Sequence, residues 1–199
     1  MPKPVTWLPE AGPALVLASR SPQRRAILEQ LGVSFTVRPA DVAEDATGEP
    51  AALALAHALR KARAAVRHPG ETVLGVDTVV ALEGEVFGKP SDEDAARGVL
   101  RRLAGRTHAV HSGVAVVHAG QEHTASAVTA VTFRALDADQ VAAYAATGEW
   151  RERAGGYAIQ GRGAVLVRRI EGDYLNVVGL PVAALVDLLP ALLAVRPAR

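Results

Sequence analysis

Three short stretches of this chain carry side chains suited to phosphate chemistry. The first is Leu17-Ala18-Ser19-Arg20-Ser21-Pro22-Gln23-Arg24-Arg25. An apolar strand delivers the chain to a loop, and Ser21-Pro22 then opens a helix, with serine as N-cap and proline in the first turn. A helix start offers unpaired N–H groups and the positive end of a dipole to an anion. Ser19 and Ser21 add hydroxyls, and Arg24 or Arg25 adds a charged fork. Taken alone, the same residues also make an ordinary cap followed by solvated arginines. The second stretch, Leu74-Gly75-Val76-Asp77-Thr78-Val79-Val80, sets a carboxylate inside a valine-rich strand. That is costly unless the group is paired, hydrated in a cleft, bound to a metal or satisfied by backbone. Gly75 beside it permits close backbone approach. The third, Gly88-Lys89-Pro90, holds an ammonium on a stiff turn, while Lys61 lies on a helix that follows an acidic loop containing Glu44. Two carboxylates, Asp77 and Glu44, and two ammoniums, Lys61 and Lys89, would together suit a divalent metal and a polyphosphate.

The lysines stand out against the composition. Of 22 basic residues, 19 are arginine and three are lysine, namely Lys3, Lys61 and Lys89. An internal lysine kept against such a bias marks a place for a compact ammonium, or else what chance leaves. Other chemistries are closed. With no cysteine in 199 residues, disulfides, thiolate-bound zinc, iron–sulfur clusters and thiol catalysis are excluded. A net charge of +1 and 4% aromatic content argue against a nucleic-acid surface. The six histidines read as surface or core residues without a partner at useful spacing; His108 and His111, three apart on a strand, point to opposite faces. The chain also lacks HExxH and GxSxG, the glycines of Gly84–Lys89 are too close for a P-loop, and Gly161-Arg162-Gly163 lacks a third glycine for a dinucleotide fingerprint. No leader segment or membrane span is expected, so the protein reads as cytoplasmic and soluble.

These groups need elements to position them. Leu15–Ala18 reads as a buried strand, followed by a helix through Ile27, Leu28 and Leu31 to Gly32, and Val33–Val37 as a second strand. Pro50 starts a long Ala/Leu/Arg helix expected to end near His68-Pro69-Gly70. Thr72–Leu82 and Glu85–Phe87 form a hairpin around Glu83-Gly84. Ser91-Asp92-Glu93-Asp94 is a capping box for a helix stopping at Gly105. His108–His118 and Thr124–Phe133 are long strands around Ala119-Gly120, and Asp137–Gln140 caps a helix reaching Thr147-Gly148. Ala164–Ile170 and Tyr174–Val178 read as a last hairpin, with a helix from Pro181. Helices interleave with hairpins, which predicts a mixed β-sheet with flanking helices in an α/β or α+β fold.

Taken in order, Ser19-x-Ser21-Pro22-x-Arg24, Glu44, Lys61-Ala62, Gly75-x-Asp77-Thr78 and Gly88-Lys89-Pro90 resemble the Maf family. So does the C-terminal signature Ala154-Gly155-Gly156-Tyr157-Ala158-Ile159-Gln160-Gly161, with Gly172-Asp173-Tyr174 and Asn176-Val177-Val178-Gly179-Leu180-Pro181 after it. The family comprises nucleoside triphosphate pyrophosphatases first known as septum-formation inhibitors. The resemblance implies one domain with its core at about residues 14–189, of the Maf and inosine-triphosphatase type, with two lobes around a central cleft and often a homodimer. It implies hydrolysis of a nucleoside triphosphate to the monophosphate and pyrophosphate with Mg or Mn. By position, Asp77 is the general base or metal-site carboxylate and Glu44 the second acid. Ser19, Arg24, Lys61 and Lys89 are polyphosphate contacts, and Thr78 and Gln160 match base-selecting positions of the branch acting on dTTP and UTP. Gly155, Gly156 and Tyr157 shape the loop presenting Gln160. Gln23 departs from the family, where two consecutive arginines commonly follow Ser-x-Ser-Pro, and that bears on base choice. The rival readings are the same chemistry on 7-methyl-GTP or another modified nucleotide, and a non-catalytic nucleotide-binding regulator of division.

Overall fold

The computed structural model describes residues 15–43, 47–190 and 192. Glu44 lies outside the described residues. The chain runs β1 (Leu15–Leu17), α1 (Pro22–Gln30), β2 (Phe35–Val37), α2 (Pro50–Ala65), β3 (Thr72–Leu82), β4 (Glu85–Phe87) and α3 (Glu93–Leu103). It continues through β5 (Thr107–His118), β6 (Gln121–Phe133), α4 (Ala138–Ala145), two 3₁₀ turns, β7 (Val167–Glu171), α5 (Tyr174–Val178) and α6 (Val182–Leu188). Among the described residues seven strands form one mixed sheet in the order β2-β1-β3-β5-β6-β7, with β4 beside β3. β1 is parallel to β2 and β3, and the other pairs are antiparallel. The expected mixed sheet with flanking helices is what forms.

β3 positions the site. One of its edges is paired with β5 from Thr72 to Ala81. Two short strands share the other edge. β1 covers it as far as Leu74, where Ala18 N–H donates to the Leu74 carbonyl at 2.8 Å, and β4 covers it again from Val80. Among the described residues no strand pairs with 75–79 on that side, so Asp77 and Thr78 sit at a step in the sheet. A separate core lies to either side of the step. Leu17, Leu28, Leu180 and Leu185 pack with Leu74 and Val76 in one; Phe87, Leu100, Val141 and Tyr144 pack with Val80 and Leu82 in the other. The two lobes and the cleft between them follow from that division.

α2 lies across the sheet at unusually short range. Its alanines Ala58, Ala62 and Ala65 pack on Val73 and Ala115. A Cβ on Gly75 would stand 2.1 Å from the Ala58 carbonyl oxygen, and one on Gly113 would stand 2.4 Å from that of Ala54. Only glycine leaves room for the helix there. The long side chains next to this alanine ridge are thereby pressed onto the middle of β3.

Several expected elements form differently. Tyr174–Val178 is a helix and not a strand: Asp173 caps it by accepting from the Leu175 N–H at 2.7 Å, and Gly179, at φ 126°, ends it. Buried Asn176 fastens it by donating to the Val110 carbonyl and Thr129 Oγ1, both at 3.0 Å. Ala164–Leu166 belongs to a 3₁₀ turn, so no hairpin closes with β7. α2 stops at Ala65, short of His68, because Arg38 takes the Ala65 carbonyl and Glu71 takes the N–H groups of Arg67 and His68. Asp92 alone caps α3, through the Ala95 N–H, while Ser91 donates to Asp92; Asp94 completes no box. The complete capping box is Asp137 with Gln140. β2 is two residues shorter than its alternation predicts, and β6 starts three residues earlier, at Gln121. The two expected hairpin turns, β3-β4 and β5-β6, are present, with positive φ at Glu83-Gly84 and Ala119-Gly120, as tight hairpins require.

Candidate active site

The step in the sheet opens into a cleft of about 520 Å³, within the size range of small-molecule sites. Ser19, Gln23, Arg24, Lys61, Asp77, Thr78, Lys89 and Gln160 all line it. Of the site residues predicted from sequence, only Glu44 is not placed, being outside the described residues. Six cationic side chains line the cleft, Arg20, Arg24, Lys61, Lys89, Arg151 and Arg153, against the carboxylates of Asp41, Asp77 and Glu152. A concave site with that excess draws in and holds a polyanion.

One wall is the start of α1. Ser21 caps the helix, accepting from the Arg24 N–H, and the first turn bears no acidic side chain. Arg24 is not a solvated arginine. It is buried, donating from Nε to the Gly179 carbonyl at 2.9 Å, from one terminal nitrogen to Ser19 Oγ at 2.8 Å and from the other to Thr78 Oγ1 at 3.2 Å. Thr78 Oγ1 also lies 2.9 Å from Ser112 Oγ. Ser19, Arg24 and Thr78 therefore form one rigid network. The Gln23 amide, oriented to satisfy both neighbours, donates to Ser21 Oγ and accepts from both terminal nitrogens of Arg153, each at 2.9 Å. That contact ties α1 to the loop between α4 and the first 3₁₀ turn.

On the cleft floor, Asp77 is 7% exposed. Lys61 Nζ donates to its Oδ1 at 2.5 Å, and His57 Nδ1 stands 3.1 Å from its Oδ2. The reading of all six histidines as bland is corrected at His57, whose partner comes from another element and so leaves no mark in local spacing. Lys89 sits at the rim, 53% exposed in its side chain, with Nζ 3.3 Å from Glu152. Arg20 pairs with Asp41 at the cleft mouth, both side chains remaining largely exposed to solvent.

The model of the Maf-like protein family matches residues 14–192, nearly the full length. The chain belongs to the Maf-like family. A relative from Moorella thermoacetica named dTTP/UTP pyrophosphatase is 53% identical over 180 residues, which is 88% of this chain and 93% of that protein. A protein of the same name from Symbiobacterium thermophilum is 48% identical over 178 residues, 88% and 92% of the respective chains. Among solved structures, the Staphylococcus aureus Ham1 protein is 16% identical, with a TM-score of 0.43 over 60% of this chain and 71% of its own.

The Maf-like signature after Ala154 builds the remaining wall. Gly155 and Gly156 both adopt φ 69°, and a Cβ on Gly155 would meet the Val80 methyls at 2.8 Å. The Gly155 N–H donates to the Gly88 carbonyl at 3.1 Å, so this turn and the Lys89 turn are held together. Glu149 clamps the segment just past Gln160, accepting from the N–H groups of Arg162 and Gly163 at 3.0 and 3.2 Å. Arg151, Arg153 and Glu149 were not singled out from sequence; a cluster of charge between α4 and the two glycines was the available signal. No helix among the described residues is long and apolar enough to cross a membrane.

Behind the Maf-like signature loop, Tyr157 stacks edge-on with His108 and Phe133, and its hydroxyl lies 2.9 Å from His108 Nε2. Burial pushes the His108 imidazole down to about 4, the Tyr144 phenol up to about 12 and the Tyr157 phenol further up. A histidine that resists protonation when folded gives up stability as pH falls from its unfolded value near 6.5 to about 4. The loss at His108 is on the order of 3 kcal/mol. His111 and His118 are shifted in the same direction by burial. The contribution of His108 is isolated by His108→Gln, which keeps a partner for Tyr157. Urea unfolding is expected to show a flatter pH 4–6.5 dependence for this variant; an unchanged slope would contradict the assignment.

Proposed function

We propose that this Maf-like protein hydrolyses dTTP and UTP, and related modified pyrimidine triphosphates, to the nucleoside monophosphate and pyrophosphate. The observation that carries the reading is the meeting of a paired carboxylate, Asp77, with a hydroxyl- and cation-lined polyanion cleft. Relatives that share most of the chain's length bear the name of that activity.

In this reading the triphosphate lies along the start of α1. Ser19, the N–H groups of the first turn and Lys61 receive its oxygens, with Lys89 at the rim. Asp77 directs a water at the α-phosphorus and takes its proton. A bond forms from the water oxygen to that phosphorus, and the bridging oxygen leaves with its electron pair as pyrophosphate. Lys61 and Lys89 stabilise the charge that develops on the leaving group. Gln160 and Thr78 face the base, where an amide both donates and accepts, as O4 and N3–H of uracil or thymine require.

A divalent cation fits the donor chemistry. Asp77 offers a hard oxygen ligand, and among the described residues no three His, Asp or Glu side chains gather into a ready cage. Mg²⁺ commonly binds through one or two carboxylates completed by substrate phosphates, so Asp77 would hold it jointly with the nucleotide. Bound there, the ion supplies charge neutralisation and a more acidic water. A homodimer, on the family resemblance, and a cytoplasmic setting, on the sequence reading, complete the proposal.

Product analysis with dTTP, UTP, CTP, GTP and 7-methyl-GTP, in Mg²⁺ or Mn²⁺, tests the proposal. Release of monophosphate and pyrophosphate, fastest with dTTP or UTP, is expected. A preference for a purine would keep the chemistry and move base choice to Gln23. Binding without turnover would favour the regulatory reading.

A further inference from the structure

The two side chains that meet the Asp77 carboxylate come from one helix. His57 and Lys61 are one turn apart on α2, the spacing at which side chains share a face. Gly75 and Gly113 let that face close on β3. The two are not equivalent. Lys61 lines the cleft and holds Oδ1, whereas His57 is absent from the lining, 2% exposed, and stands against Oδ2.

We propose that His57 is a positioning residue: it holds Oδ2 of Asp77 through a proton on Nδ1, leaving Oδ1 as the oxygen that performs the chemistry. The inference rests on the proposed pyrophosphatase reading for what that chemistry is. The terminal torsion of an aspartate is soft, so a carboxylate held by one flexible lysine would swing once the lysine turned to a phosphate. A second donor on a rigid, buried ring removes that freedom. The imidazole does not line the cleft and acts through Asp77. Supporting groups of this kind typically contribute 10–100-fold to activity.

The test compares His57→Leu with His57→Asn, whose amide nitrogen stands near the place of Nδ1. With dTTP, the leucine variant is expected to lose about 10–100-fold in kcat with KM within about twofold, and the asparagine variant to recover most of the loss. In an Asp77→Asn background, His57→Leu should add nothing further. Independently of turnover, nitrogen NMR of ¹⁵N-histidine-labelled, metal-free protein should show the His57 proton on Nδ1. A leucine variant within twofold of the parent in kcat, an asparagine variant no better than leucine, or an unprotonated Nδ1 would each overturn the inference. If the parent protein released no pyrophosphate, the functional reading would fail. The NMR result would still decide the hold on Asp77. If the leucine variant did not fold, the asparagine variant and the spectrum would decide it.

Discussion

Asp77→Asn is expected to lower turnover of dTTP and UTP by about 10³-fold or more, with the chain still folded. The general-base contribution alone is about 10²–10⁴-fold, and an amide also ligates a hard cation poorly. The substitution keeps the size of the side chain, so the step in the sheet between β1 and β4 is preserved. It leaves the Lys61 ammonium beside a neutral group at a site where the lysine side chain is 13% exposed. Losing a largely buried partner is destabilising, so a lower denaturant midpoint is also expected. Steady-state kinetics with circular dichroism separates the two effects. Retained turnover in a folded variant would remove Asp77 from the chemistry.

The second large effect is expected at Lys61. Lys61→Ala removes the donor to Oδ1 and, in the proposed mechanism, a charge set against the leaving group, and should cost about 10²–10³-fold in kcat/KM. Lys61→Arg should restore little. Nζ lies 2.5 Å from Asp77 Oδ1, beneath a helix packed on glycines, and a planar guanidinium cannot replace a compact ammonium there. Recovery to within a few-fold of the parent by arginine would show that charge alone, and not its placement, matters.

Much of this site was legible in the sequence because the family motifs carry their own local structure. Ser21-Pro22 could only open a helix, and Asp77 in a valine strand had to face something polar. The scarcity of lysine also marked Lys61 and Lys89. His57 was not legible. Its i,i+4 relation to Lys61 was visible, but its partner is twenty residues on and reached only across a helix–sheet contact. The glycines that permit that contact, Gly75 and Gly113, sit 38 residues apart in sequence and meet the same helix. Arg24 shows the same limit: its bond to the Gly179 carbonyl spans 155 residues.

The misread of Tyr174–Val178 has a different cause. Val177-Val178 favours a strand by local preference, while Asp173 and Gly179 are correctly spaced helix punctuation. The punctuation prevailed because a helix lets Asn176 reach both β5 and β6. In such short segments the ends carry more information than the branched residues between them.

The central claim is that the cleft around Asp77 sends water to the α-phosphorus of a pyrimidine triphosphate. Hydrolysis of dTTP in ¹⁸O-water, with mass spectrometry of both products, tests it most directly. The expected result is one labelled oxygen in dTMP and none in pyrophosphate. Label in pyrophosphate, or release of inorganic phosphate as the first product, would contradict the account.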